Sequence, residues 1–135
     1  MRASFAAALP LLTFALYAPI ALSATVSPCP YTWTQNLKVG SMGADVMKLQ
    51  QFLNTNADTI IATTGAGSAG NETTRYGKLT AVAIAKFQEQ YTADIRSPFG
   101  LTKGSGVVGA LTRAKLNALC ARSTGSTDSL QASSG

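Results

Sequence analysis

Histidine is absent from all 135 residues. No Ser–His or Cys–His pair can form, so the commonest activated nucleophiles are excluded. Metal binding loses its commonest ligand too, and two cysteines do not complete a four-ligand zinc site. Acids are scarce: Asp45, Asp58, Glu72, Glu89, Asp94 and Asp128 stand against 11 basic residues. Carboxylate catalysis ordinarily needs two acids facing across a cleft. Asp45 reads as a helix cap, Glu89 and Asp94 as a solvated helix face, and Asp128 as part of the tail. Asp58 and Glu72 share one loop, and a lone Glu72 leaves room only for an unusual glycosidase. The glycine-rich "GAGSAG" at 65–70 lacks the Lys-Ser/Thr end and the preceding strand of a phosphate loop. It reads as a flexible loop, and no cofactor or metal is expected.

Long apolar runs are lacking after residue 24. Before it, Arg2 precedes a largely apolar stretch from Phe5 to Leu22, and Ala21, Ser23 and Ala24 follow as small residues. That is the order of a secretory signal peptide, assigned to 1–24, with cleavage after Ser23 fitting best and after Ala24 second. The alternative is a retained transmembrane anchor, against which Pro10 and Pro19 break the helix. Without Arg2 the basic count falls from 11 to 10 against 6 acids, a net +4. The cations are scattered singly, so the dense stripe of a nucleic-acid footprint is missing. Mild positive charge suits an anionic surface such as a cell wall.

Only two cysteines occur, Cys29 and Cys120. In an exported chain they are expected to form one disulfide. It would close a loop of about ninety residues, worth roughly 4–5 kcal/mol as an upper value in chain-entropy terms. A core this small would depend on that bond.

What is present is helical. In the extended segment 25–36, Pro28 and Pro30 precede Tyr31 and Trp33, which point to one side. A first helix is expected over 45–54, capped by Asp45 and carrying Val46, Leu49 and Leu53 on one face. Residues 55–75 lose the pattern; Ile60 and Ile61 are the expected anchors of a long loop or short strand. A second helix is expected from Thr80 as cap, with Ile84, Phe87, Tyr91 and Ile95 inward and Val82 and Ala83 extending the stripe, until Pro98 closes it. In the link 100–109, Leu101, Val107 and Val108 are expected as apolar pins. A third helix follows from Thr112 as cap to about Ala121, with Leu116 and Leu119 inward. Residues 123–135 have the composition of a tail or linker.

Two helix starts are written alike: "YGKLT" at 76–80 and "VGALT" at 108–112, with Gly77 and Gly109 32 positions apart (109 − 77). This suggests two supersecondary units of similar build, with glycine for the turn, leucine to pin it and threonine to cap. The turn before Thr80 differs in being long and polar. Asn71, Thr74, Arg75 and Tyr76 in "GNETTRYG" are the candidate ligand contacts, supplying amide, hydroxyl, cation and ring to carbohydrate or peptide. The competing reading is an ordinary surface loop, with Tyr76 in the core.

Three blocks in order resemble the peptidoglycan-binding domain family of bacterial cell-wall proteins. Gly40, Gly43, Val46, Leu49, Gln50 and Leu53 fit the first block. Tyr76, Gly77, Thr80, Ala83, Ile84, Phe87 and Gln88 fit the second, and Gly100, Leu101, Gly106, Val108, Gly109 and Thr112 the third. The loop before Tyr76 is longer than the family's Asp-Gly turn, and Ser105-Gly106 replaces Asp-Gly in the last turn. The resemblance implies a mainly α, small three-helix bundle over 37–122 that holds peptidoglycan without cleaving it. It implies a secreted, periplasmic or wall-associated monomer that binds neither nucleic acid nor, once the leader is removed, membrane. The alternatives are a wall hydrolase using Glu72 as its acid and a structural or adhesive module whose partner is a protein.

Overall fold

A computed structural model describes residues 27–125. The signal-peptide assignment and residues 126–135 of the tail lie outside them. The described chain is mainly helical: α1 is Ala44–Asn54, α2 Lys78–Gln90, α3 a single turn at Thr92–Ile95, and α4 Ala110–Gly125. Short 3₁₀ turns stand at Ala57–Thr59 and Ser97–Phe99. Ile60 and Ile61 belong to the irregular loop, not to a strand; Ile61 is buried and Ile60 exposed. Among the described residues no helix is long and apolar enough to cross a membrane.

Each long helix is formed by a buried face at helical spacing. In α1 it comprises Val46, Leu49, Gln50 and Leu53, in α2 Ala83, Ile84, Phe87 and Gln88, and in α4 Leu116 and Cys120. The expected second helix is interrupted at Tyr91, whose backbone leaves the helical region (φ −110°, ψ 45°), so Ile95 reaches the core from α3. Val82 does not extend the buried stripe and is half exposed. Of the three expected apolar pins in the link before α4, only Val108 is buried; Leu101 and Val107 are exposed.

All three expected caps are corrected in the same sense. The first two helices begin after Gly43 and Gly77, and neither has a side-chain cap. Asp45, Thr80 and Thr112 fall inside the first turn. The Asp45 carboxylate instead accepts a hydrogen bond from the Tyr31 hydroxyl. That bond, helped by burial and then by the Asp45 charge, pushes the Tyr31 pKa up to about 12. Thr80 and Thr112 are buried, their hydroxyls turned inward. A carboxylate near a helix N-terminus is favourable without capping it, and a threonine one turn in is free to serve the core.

The segment before α1 ties the helices together. Cys29 and Cys120 form the disulfide, 91 positions apart, joining the entry segment to α4. Trp33 exchanges hydrogen bonds with the Asn117 side chain (2.8 and 3.1 Å), and its indole donates to the Asp45 carbonyl. Its ring starts a chain of edge and tilted contacts through Phe52, Phe87 and Tyr91, with Tyr31 packed on its other side. Beyond it, residues 37–43 lie across the two loops that precede α2 and α4. Leu37 pairs with Val108, and Ser41 and Gly40 bond the backbone of Tyr76.

Candidate binding grooves

The repeat seen in the two helix starts continues through the packing. Gln50 of α1 donates through Nε2 to the Arg75 carbonyl (2.9 Å) and the Thr80 hydroxyl (3.2 Å). Its Oε1 accepts from the Thr73 amide (2.6 Å). Gln88 of α2 repeats this set. Its Nε2 donates to the Val107 carbonyl (2.7 Å) and the Thr112 hydroxyl (3.1 Å), and its Oε1 accepts from the Ser105 hydroxyl and the Gly106 amide. Thr73 and Ser105 also match: each hydroxyl accepts from the amide two residues on. Both glutamines are almost wholly buried, and burial of an amide is tolerated because its hydrogen bonds are made.

Above each glutamine lies a groove. The first, about 430 Å³, is bounded by Gln50, Thr73, Arg75, Lys78, Leu79 and Thr80, with Ile61 and Gly67 from the long loop as its far wall. The second, about 200 Å³, is bounded by the equivalent Gln88, Ser105, Val107, Ala110, Leu111 and Thr112; its far wall is Ile95, Arg96, Phe99 and Leu101. Leu79 and Leu111 therefore do not pin a turn but wall a groove, and Leu79 is more than half exposed. No carboxylate lines either groove among the described residues. The ionisable lining is Arg75 and Lys78 in one and Arg96 in the other.

The long loop is built rather than slack. Asn54, at the end of α1, donates to the Gly67 carbonyl and the Glu72 carboxylate, while its own side-chain oxygen accepts from the Ile61 amide. The other Glu72 oxygen accepts from the Gly70 amide. Glu72 thus braces the loop from within. Gly67 lies against Ile61: a Cβ there would stand 3.0 Å from the Ile61 side chain, and its φ is +89°. "GAGSAG" is accordingly the folded wall of the first groove.

The four residues expected as ligand contacts separate. Arg75 lines the first groove, and among the described residues its guanidinium forms no ion pair or hydrogen bond. Thr74 is exposed on the same loop, outside the lining, with its carbonyl bonded to the Gly43 amide. Asn71 is exposed but turned back, donating to the Ser68 hydroxyl. Tyr76 belongs to the core: it is 0% exposed and its hydroxyl donates to the Gly106 carbonyl at 2.7 Å. Burial also raises its pKa well above the usual tyrosine range. Its ring therefore couples the two groove loops and offers no face to a ligand. Lys78, Thr73, Gln50 and Leu79 are the lining residues that the sequence reading missed.

The chain matches no family model, no curated protein and no solved structure.

Proposed function

We propose that this protein is a noncatalytic binding module for bacterial cell-wall peptidoglycan, acting outside the cytoplasm and holding the polymer in the groove before α2. The observation that carries the reading is the lining of that groove: two cations, Arg75 and Lys78, without an ion-pair partner among the described residues, over a satisfied polar floor that no described carboxylate lines. Peptidoglycan stem peptides present free carboxylates and small alkyl side chains. A guanidinium takes a carboxylate through two parallel N–H bonds, while Leu79 and Ile61 offer apolar area. The three sequence blocks support the same reading, as does a disulfide, which persists in oxidising compartments.

The reading separates cleanly from hydrolysis. Purified sacculi incubated with the protein should retain it in the pellet and release no soluble muropeptides. Soluble stem-peptide fragments should displace it. Release of fragments that stops in a Glu72→Gln variant would replace this reading with an enzymatic one.

A further inference from the structure

The groove before α4 has no role in the binding just proposed, yet its floor resembles that of the first groove. Gln88 and Thr112 form its floor as Gln50 and Thr80 do in the first. What differs is the wall. In place of the loop 61–67 stand Phe99 and Leu101, and Val107 replaces Arg75. Phe99 is 68% exposed, and Leu101 and Val107 are more than 40% exposed. Clustered apolar exposure around a concavity marks an interaction surface better than scattered apolar residues do. Its single charge is Arg96. Among the described residues the guanidinium donates only to neutral oxygens, the Thr92 hydroxyl and the Thr102 carbonyl, so none of them neutralises its oriented charge.

We propose that this second groove is a second binding site for the same polymer, taking an apolar stretch of another stem peptide with its carboxylate directed to Arg96. The inference rests on the peptidoglycan reading. Charge complementarity selects the occupant: an anionic peptide with small apolar side chains meets Arg96 and the Phe99–Leu101–Val107 wall at once. The two grooves then divide the work, the first ion-pairing through Arg75 and Lys78, the second burying alkyl groups. A repeating polymer can fill both, and two weak sites joined by one ligand bind more tightly than either alone.

The test is an amide NMR titration of the ¹⁵N-labelled protein with a soluble monomeric muropeptide, run beside sedimentation with intact sacculi. Two sites predict saturable shifts at 73–80 and at 105–112. Phe99→Ser with Leu101→Ser, both solvent-facing changes, should abolish the second set, keep the first, and weaken sacculus binding by about tenfold or more through lost avidity. Retention on sacculi with shifts confined to 73–80 overturns the second site and leaves the peptidoglycan reading standing. No retention and no shifts overturn both. Broadening at 105–112 with protein concentration alone assigns the groove to a second copy of the chain and also overturns the proposal.

Discussion

Tyr31 and Asp45 meet where the entry segment crosses the first turn of α1. The phenol is held protonated by the carboxylate, so its folded-state pKa of about 12 lies above the ordinary value of 10. A group raised in the folded state contributes stability that is complete below the unfolded pKa and is lost as pH rises through the folded one. The Tyr31 contribution is therefore whole below pH 10 and fades between about 10 and 12. Absorbance at 295 nm should show a tyrosinate step near pH 12 that disappears in Tyr31→Phe. A Tyr31 step at the ordinary value would contradict the bond. At neutral pH the variant should lose about 1.5–3 kcal/mol in denaturant unfolding, the usual worth of a hydrogen bond to a charged group.

At the scale of elements, the buried glutamines decide how the helices and loops fit. In Gln50→Leu the Thr73 amide and the Arg75 carbonyl lose a partner inside the protein. Each group left dry costs about 1–3 kcal/mol, so urea unfolding should report a loss of at least about 2 kcal/mol. Close approach matters as much where the loop 100–109 lies on α2. A Cβ at Gly104 would stand 2.3 Å from the Ala85 carbonyl oxygen, a backbone atom that cannot swing aside. Gly104→Ala should cost about 1–3 kcal/mol as an overpacked contact. Gly109→Ala, with open space around it, should cost less than about 1 kcal/mol by the same measurement.

The apolar spacing made these helices legible, since Val46, Leu49, Leu53, Ile84, Phe87 and Leu116 all face inward as their periodicity requires. The helix starts were misread for a physical reason. Threonine and aspartate before an apolar face are the common cap signal, but a threonine three residues after a glycine can also turn its hydroxyl to a glutamine on another helix. That partner is 30 positions away for Thr80 and 24 for Thr112, beyond the reach of local pattern. Tyr76 was ambiguous for the same reason: whether a tyrosine lies in the core or on a surface depends on the distant Gly106 carbonyl. Arg75 was legible as a candidate contact because a cation in a polar loop stands out, and it lines the first groove. Lys78, the first residue of α2, resembled any solvated lysine.

For the whole molecule, the disulfide Cys29–Cys120 ties the entry segment to α4, and residues 37–43 hydrogen-bond to both groove loops. The expected disulfide and the mainly α class are both present. The central claim concerns what that frame presents to the outside. It is tested most directly by a binding isotherm on purified sacculi, measured for the wild type and for Arg75→Ala/Lys78→Ala at low and moderate salt. Both side chains are exposed and have no ion-pair partner among the described residues, so the double variant should unfold at the same denaturant concentration as the wild type. The account predicts saturable wild-type binding, weakened by salt and by about tenfold or more in the double variant through loss of charge-assisted contacts. Absence of wild-type binding at low salt, or binding that the double substitution leaves unchanged, would contradict it.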